Sequence, residues 1–295
     1  MFKGFGRILT AMVTPFDQEG KVNWTAVEEL AVHLVETGSD GLVVGGTTGE
    51  SPVLSKQEKL QLFSTVKKAV GKRAAVLAGV GTNSTEDSIQ LARAAQELGV
   101  DGLMLVVPYY NKPSQEGLYR HFQAVASRIE IPVMLYNVPS RTSCNLEAET
   151  VGRLAKMEHI VAIKEAAGSM DQVSEIKGLV PESFLIYSGD DSLTLPMLAL
   201  GAHGVVSVAS HLVGRKMQEM VKAFFAGQWQ EALAIHQQLF PLFRGLFLTT
   251  NPVPVKTALK LLGFPVGEVK LPLVPLTAAE EDRLKDVLKK VQLLP

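Results

Sequence analysis

Short runs of apolar residues alternate with longer amphipathic segments along most of the chain. This alternation is typical of repeated strand-helix units that build a parallel sheet. Eight apolar runs predict strands, at residues 8–13, 41–45, 74–78, 102–107, 132–136, 160–164, 183–188 and 204–208. Segments with helical periodicity lie between them, for example at residues 25–37, 55–70, 85–98, 114–128 and 146–156.

A Gly-x-x-Gly pattern precedes three of the predicted strands, at residues 38–41, 99–102 and 201–204. The first glycine is suited to end a helix in a left-handed conformation, and the second precedes a strand that is apolar on both faces. The repetition favours an α/β fold in the form of a closed (β/α)₈ TIM barrel. An open doubly wound sheet has similar local patterns and is the alternative.

The alternation ends near residue 228, and the remaining chain predicts helices at residues 228–246, 253–262 and 277–293. We therefore predict a catalytic barrel over residues 1–225 and a C-terminal helical extension over residues 226–295. No low-complexity linker separates the two parts. The extension is expected to pack on the barrel or on a neighbouring subunit.

Composition narrows the classes of function. The chain has 29 Lys plus Arg against 30 Asp plus Glu and no block of like charge, which argues against nucleic-acid or membrane partners. Cys144 is the single cysteine, which excludes an internal disulfide and multi-cysteine metal sites. No apolar run approaches the roughly 18 residues that span a bilayer. Residues 1–9 lack the apolar stretch of a signal peptide, so a cytoplasmic protein is expected.

The sequence does not favour a metal site. Its six histidines are scattered without a His-x-x-x-His pair or a Glu-x-x-His motif. Asp190 and Asp191 are adjacent, and such a pair at the start of a helix more often caps the helix than binds a divalent cation.

In a (β/α)₈ barrel the active site lies at the carboxyl ends of the strands. Lys164 ends the sixth apolar run, and alternation places it on the same face as Ile160 and Ala162. If that face points into the barrel, burial disfavours the ammonium form and leaves a neutral amine that can attack a carbonyl. The alternative is a lysine that ends a strand and pairs with a nearby carboxylate.

Tyr136 occupies the corresponding position on the fifth predicted strand. Adjacent strands lie about 4.8 Å apart, so a phenol at this position can reach an imine on Lys164 and transfer the protons that imine formation requires. A tyrosine that only packs, with its hydroxyl bonded elsewhere, is the alternative.

Two further features are suited to carboxylates. The glycine-rich turn at residues 45–49 supplies backbone N–H groups and two hydroxyls just before a helical segment. The alternative is a simple glycine-rich connection between a strand and a helix. The turn lacks the glycine patterns of dinucleotide-binding and P-loop proteins, so phosphate is less favoured. Arg141 can hold a second carboxylate through paired N–H groups, unless it is an ordinary surface arginine.

Together these motifs resemble the dihydrodipicolinate synthase family. The resemblance runs from about residue 4 to about residue 275 and rests on residues 46–51, 108–113, 136–142, 163–166, 188–191 and 251–256. It implies a lyase of the pyruvate-dependent aldolase superfamily, in which pyruvate forms an imine with Lys164 and no separate cofactor is needed. The second substrate would be L-aspartate 4-semialdehyde, and the product 4-hydroxy-tetrahydrodipicolinate, which leads to diaminopimelate and lysine.

The resemblance also implies a proton relay of Thr47, Tyr110 and Tyr136. Tyr110 would reach across a dimer interface into the neighbouring subunit's site. Members of the family are usually homotetramers, built as dimers of dimers.

Substrate contacts are implied in the same way. Thr47 and Thr48 would hold the pyruvate carboxylate and Arg141 the carboxylate of the semialdehyde, while backbone groups at Gly189 and Val206 line the pocket. The superfamily includes N-acetylneuraminate lyase and keto-deoxy sugar-acid aldolases, which usually carry serine at the position of Thr48 and lack an arginine at that of Arg141. Those lyases are the alternative, and a catalytically inactive barrel that serves as a sensor or scaffold is a third possibility.

One group of positions departs from the lysine-inhibited family members. Ser51, Asn83 and Tyr109 match the allosteric cleft of those enzymes. The histidines and the glutamate of that cleft are replaced here, at Lys56, Lys59 and Asp87. A cationic Lys56 would repel the ammonium group of lysine, so weak or absent feedback inhibition is expected.

Overall fold

The computed structural model describes residues 4–295. The prediction of no signal peptide was made on residues 1–9, and residues 1–3 lie outside the described residues. Eight parallel strands form the centre of the fold: β1 (Ile8–Ala11), β2 (Gly41–Val44), β3 (Ala75–Gly79), β4 (Gly102–Val106), β5 (Val133–Asn137), β6 (Ile160–Glu165), β7 (Leu185–Ser188) and β8 (Gly204–Ser207). Each strand pairs with the next in chain order, and β8 pairs with β1 to close the barrel. The predicted TIM barrel is therefore confirmed, and the open sheet is excluded.

Helices surround the strands. Those within the barrel repeat are α1 (Trp24–Glu36), α2 (Lys56–Val70), α3 (Thr85–Glu97), α4 (Gln115–Ala126), α5 (Pro139–Thr142), α6 (Ala148–Leu154), α7 (Met170–Leu179), α8 (Thr194–Ala199) and α9 (Ser210–Phe225). The C-terminal extension adds α10 (Trp229–Gly245), α11 (Val253–Leu261) and α12 (Ala278–Lys290). No helix within residues 4–295 combines the length and the apolar character needed to cross a membrane.

Alternating side chains on the strands form two apolar layers. On β1, Leu9 belongs to a small cluster inside the barrel, whereas Ile8 belongs to the large cluster between strands and helices. Tyr187 on β7 is in the inner cluster, and its hydroxyl donates a hydrogen bond of 2.9 Å to the carbonyl of Gly6, before β1. The Tyr187 side chain therefore links β7 to the segment before β1, at the amino end of the barrel.

The inner face of β6 differs in one respect from the predicted alternation. Ala162 belongs to the inner cluster, but Ile160 belongs to the outer one, so the prediction that Ile160 shares the face of Lys164 is wrong. The cause is a register shift against β5, where Val133 pairs with Ile160 and the next residue, Met134, pairs with Ala162. One extra residue in β6 reverses the side-chain alternation before Ala162.

The C-terminal extension packs on the barrel and shares its outer core. Leu239, Leu242 and Phe243 of α10 are buried in the same cluster as the outer face of the strands. Lys256 of α11 forms a fully buried ion pair with Glu50, which lies beyond the end of β2. The extension therefore contacts the carboxyl end of the barrel directly.

Candidate active site

Lys164 and Tyr136 lie side by side inside the carboxyl end of the barrel. The two residues are direct partners in the register of β5 and β6, and both are buried. The nitrogen of Lys164 lies 4.2 Å from the centre of the Tyr136 ring. Within residues 4–295, Lys164 makes no ion pair. The structure therefore places an amine beside a phenol. The alternative from the sequence, a lysine that pairs with a nearby carboxylate, is not observed within residues 4–295.

A buried polar network fixes the ends of these two strands. The side-chain amide of Asn137 donates to the Glu165 carboxylate at 3.1 Å, and Gln172 donates to the same carboxylate at 3.1 Å. The backbone N–H of Ala167 adds a bond of 2.6 Å. Burial raises the pKa of Glu165, while these donors oppose the shift. Asn137 follows Tyr136 on β5, and Glu165 follows Lys164 on β6. The network therefore holds the Tyr136–Lys164 pair in register.

A cavity of about 270 Å³ lies beside the pair, with Tyr136 but not Lys164 in its lining. Thr47, Tyr136 and Arg141 line it, together with Lys59 and Tyr109 from the adjacent cleft. The lining contains two cationic side chains and no aspartate or glutamate. A cavity with this charge is suited to small anionic substrates such as carboxylates.

The glycine-rich turn beyond β2 is ordered by its own hydrogen bonds. The hydroxyl of Thr14 donates to the carbonyl of Gly49 at 2.7 Å, and the N–H of Glu50 donates to the carbonyl of Thr47 at 3.0 Å. In the described part of the chain, the N–H groups of Thr47 and Thr48 have no protein acceptor. Those two groups are therefore available to a ligand.

The turn does not lead directly into a long helix. A short 3₁₀ turn at Ser51–Val53 intervenes, and α2 begins only at Lys56. The first N–H groups of α2 are capped by Ser55 and Glu58. The groups that can bind a carboxylate are thus those of the turn itself and not the N-terminus of α2.

Two residues of the C-terminal extension support this turn, and their roles were missed in the sequence. The side-chain amide of Asn251 donates to the hydroxyl of Thr48 at 2.8 Å. Lys256 contacts the carboxylate of Glu50 at 2.9 Å, with the two side chains only 2% and 1% exposed. In the sequence, these two residues are marked only by the family motif at residues 251–256, and that motif does not indicate a contact with the turn.

Arg141 lies on α5 at the rim of the cavity and is exposed. It also lines a second cavity of about 180 Å³, together with Thr47 and Asn251. The one hydrogen bond of its side chain to residues 4–295 is a long contact of 3.5 Å to the carbonyl of Asn251. Most of its N–H groups are therefore free to bind a carboxylate.

Gly189 and Val206 lie beside the pair but do not line the cavity. Val206 belongs to the inner apolar cluster of the barrel. The N–H of Gly189 donates to the carbonyl of Glu165 at 2.8 Å, and a Cβ at this position would lie 3.1 Å from Cε of Lys164. Gly189 thus leaves the space that the lysine side chain occupies.

Five predicted catalytic or substrate-binding residues do not line the cavity, and Tyr110 is the exposed one among them; the others are Thr48, Lys164, Gly189 and Val206. Its side chain is 89% exposed and its φ is +76°, which is rare for a residue with a side chain. Such strain at an exposed aromatic residue is typical of functional positions. Tyr109, by contrast, lines the cavity of its own chain.

The residues of the predicted allosteric cleft divide between two cavities. Ser51 and Tyr109 line the active-site cavity, and Lys59 lines both that cavity and a neighbouring one of about 290 Å³. Lys56 and Asp87 line only the neighbouring one, whereas Asn83 lines neither. Burial lowers the pKa of Lys59.

The adjacent aspartates at the end of β7 both accept backbone N–H groups, and Asp190 caps the 3₁₀ turn that follows it. The carboxylate of Asp190 accepts the N–H of Ser192 at 2.9 Å, as predicted for a cap. Asp191 is fully buried and accepts the N–H groups of Val208 and Ala209, at the start of α9, at 3.1 and 2.8 Å. Burial raises the pKa of Asp191 to about 6.

Comparison with known proteins gives one consistent family. The model of the dihydrodipicolinate synthetase family matches residues 4–291. A protein of Moorella thermoacetica called 4-hydroxy-tetrahydrodipicolinate synthase is 59% identical over 98% of this chain and 99% of its own length. A protein of the same name from Desulforudis audaxviator is 60% identical over the same shares.

Solved structures agree with this result. The crystal structure of DHDPS from Cyanidioschyzon merolae with lysine bound superimposes with a TM-score of 0.97 and 48% identity, over 98% of this chain and 99% of that one. The match extends through the barrel and the C-terminal extension. The chain belongs to the dihydrodipicolinate synthetase family.

Proposed function

We propose that the protein condenses pyruvate with L-aspartate 4-semialdehyde, through an imine on Lys164, to give 4-hydroxy-tetrahydrodipicolinate. The observation that carries the proposal is the buried contact between the amine of Lys164 and the ring of Tyr136, next to a cavity whose lining includes Lys59 and Arg141. The shared name of the curated relatives supports the synthase over the sugar-acid lyases. This reaction would serve the biosynthesis of diaminopimelate and lysine.

In this mechanism the amine of Lys164 attacks the keto carbon of pyruvate, and loss of water gives the imine. Removal of a proton from the methyl group gives an enamine, whose carbon attacks the aldehyde carbon of the second substrate. The amino group of the semialdehyde then attacks the imine carbon, which closes the ring and releases Lys164. The two substrates combine with net loss of one water molecule, and the lysine itself activates the carbonyl without a dissociable cofactor.

Each transfer of a proton needs a positioned donor or acceptor. We assign this work to the hydroxyls of Tyr136 and Thr47, which line the cavity, and to that of Tyr110. Thr47 and Thr48 hold the pyruvate carboxylate with their hydroxyls and free N–H groups. Arg141 holds the carboxylate of the semialdehyde with its free N–H groups.

We also propose a homotetramer, built as a dimer of dimers, in which Tyr110 enters the neighbouring subunit's site. The strained and exposed conformation of Tyr110 supports a role outside its own chain. We also propose a cytoplasmic location. The single cysteine, Cys144, is compatible with a reducing compartment.

Reductive trapping tests the imine. Incubation with pyruvate and borohydride should attach a pyruvate-derived group to one lysine, and peptide mass spectrometry should locate it on Lys164. Lys164→Ala should give no adduct, while the exposed Lys222→Ala on α9 should react like the wild type. An adduct on another lysine, or none, would remove the proposed mechanism.

An aldehyde panel separates the synthase from its alternatives. Turnover of L-aspartate 4-semialdehyde, with no cleavage of N-acetylneuraminate or keto-deoxy sugar acids, is the expected result. Activity with the sugar acids alone would favour the sister lyases. Reversible pyruvate binding without an adduct would indicate the inactive barrel.

A further inference from the structure

Asn251 connects the C-terminal extension with Thr48 and Arg141, two of the three proposed carboxylate-binding residues. It precedes α11, is 5% exposed, and lines the smaller cavity with Thr47 and Arg141. Its side-chain amide donates to the hydroxyl of Thr48 at 2.8 Å, and its backbone carbonyl accepts a long contact from Arg141.

The direction of the bond between Asn251 and Thr48 determines what Thr48 can do. A threonine hydroxyl has one hydrogen to donate and two lone pairs that can accept. In this orientation of the amide, the N–H of Asn251 occupies a lone pair, so the hydrogen of Thr48 is not used on Asn251. The amide oxygen of Asn251 is buried and has no partner within residues 4–295. Within residues 4–295 that hydrogen has no other acceptor. It is therefore left as a donor, on a side chain that is 3% exposed and lies behind Thr47, which lines both cavities.

A buried ion pair keeps this arrangement in place. The ammonium group of Lys256 contacts the Glu50 carboxylate at 2.9 Å and the carbonyls of Thr14 and Glu268 at 3.1 and 2.8 Å. The other oxygen of the Glu50 carboxylate accepts the N–H of Lys270 at 2.8 Å. All three ammonium hydrogens thus have acceptors, and the Glu50–Lys256 pair joins the turn to the helix that begins after Asn251.

We propose that Asn251 is a positioning residue that orients the Thr48 hydroxyl as a hydrogen-bond donor to the carboxylate of pyruvate. The inference rests on the proposed function, because it assumes that pyruvate binds at the turn. It predicts that Asn251 affects pyruvate binding through Thr48 alone. A purely structural role would affect folding and every substrate alike.

A double-mutant cycle on the KM for pyruvate tests this, with Asn251→Ala, Thr48→Val and the double variant. Loss of one hydrogen bond to a substrate carboxylate should raise the KM for pyruvate about tenfold in Thr48→Val. Asn251→Ala should raise it about threefold to tenfold in the wild-type background and leave it unchanged in the Thr48→Val background. The KM for the semialdehyde should change less in both single variants.

Independent, multiplicative effects of the two substitutions on the KM for pyruvate would overturn the inference. If Asn251→Ala does not fold, Asn251→Leu replaces it, since leucine fills a similar volume without a donor. Borohydride trapping on the wild type distinguishes failure of the proposed function from failure of the proposed role of Asn251. Absence of the adduct refutes the proposed function, whereas an adduct together with independent effects refutes only the role of Asn251.

Discussion

Tyr136 and Lys164 are joined across β5 and β6 at one register position, with the lysine nitrogen over the face of the tyrosine ring. Tyr136→Phe keeps the ring and removes the hydroxyl. If that hydroxyl transfers protons during imine formation, kcat should fall about a hundredfold or more while the fold is unchanged. Steady-state kinetics and circular dichroism measure the two effects. The control is Tyr119→Phe on α4, which should behave as the wild type.

Gly189→Ala should displace the reactive lysine. The added Cβ would lie 2.6 Å from Cβ of Ala166 and 3.1 Å from Cε of Lys164, both too close for carbon atoms. A small misplacement of a catalytic group lowers the rate by about a hundredfold, so kcat/KM should fall by that order. Gly178→Ala on α7 meets no atom within 4 Å and should be fully active. Equal activity of the two variants would contradict the proposed place of Lys164.

Mixed oligomers test whether Tyr110 acts in its neighbour's site. Tyr110→Phe and Lys164→Ala chains should each be nearly inactive alone. Refolded together in equal amounts, they should regain about a quarter of wild-type activity, since half of the dimers are mixed and each mixed dimer has one complete site. Tyr136→Phe mixed with Lys164→Ala should not recover, because both residues belong to one chain's site. Failure of the first mixture would place Tyr110 in its own chain.

Asp191 should make stability depend on pH. Burial raises its pKa to about 6, above the value near 4 of a free aspartate. Between these values the folded chain holds a proton that the unfolded chain has lost, so the contribution of this group to the free energy of unfolding falls as pH rises. The change amounts to about 3 kcal/mol in total.

Asp191→Asn removes this ionisation and keeps an oxygen that can accept from Val208 and Ala209. Urea unfolding at fixed protein concentration should therefore show a smaller loss of stability between pH 4 and pH 7 in the variant. The exposed Asp171→Asn on α7 is the matched control. An identical pH profile for Asp191→Asn and the wild type would rule out this role.

L-Lysine should inhibit the enzyme weakly or not at all. Lys56 and Lys59 line the neighbouring cavity with Asp87, and two cationic side chains there repel the ammonium group of the amino acid. Inhibition titrations should show no half-inhibition at sub-millimolar lysine. Lys56→Gln should strengthen any residual inhibition, whereas Lys222→Gln should not. Half-inhibition of the wild type in that range would refute the expectation.

The barrel could be predicted because its signals are local. Apolar runs and Gly-x-x-Gly turns each lie within a few residues, and β6 begins at Ile160 as expected. The prediction that Lys164 points into the barrel followed from its alternation with Ala162. The error at Ile160 arose because the register shift in β6 depends on pairing with β5, which no pattern within the strand reveals.

The supports of the site could not be predicted in the same way. Asn251 and Thr48 are 203 positions apart in the sequence, and Lys256 and Glu50 are 206 apart. Neither contact follows from periodicity or local composition. Glu165 was visible beside Lys164, but its carboxylate is bound by Asn137 and Gln172 on neighbouring elements.

The Glu50–Lys256 pair also has a consequence for the order of assembly. A nascent chain emerges from its amino end, so all eight strands are synthesised before Lys256 exists. Until then Glu50 has no buried cation, and the turn that carries Thr47 and Thr48 lacks its support. A ribosome that stops between the end of β8 and Lys256 therefore leaves a complete set of strands whose Thr47–Thr48 turn lacks this support.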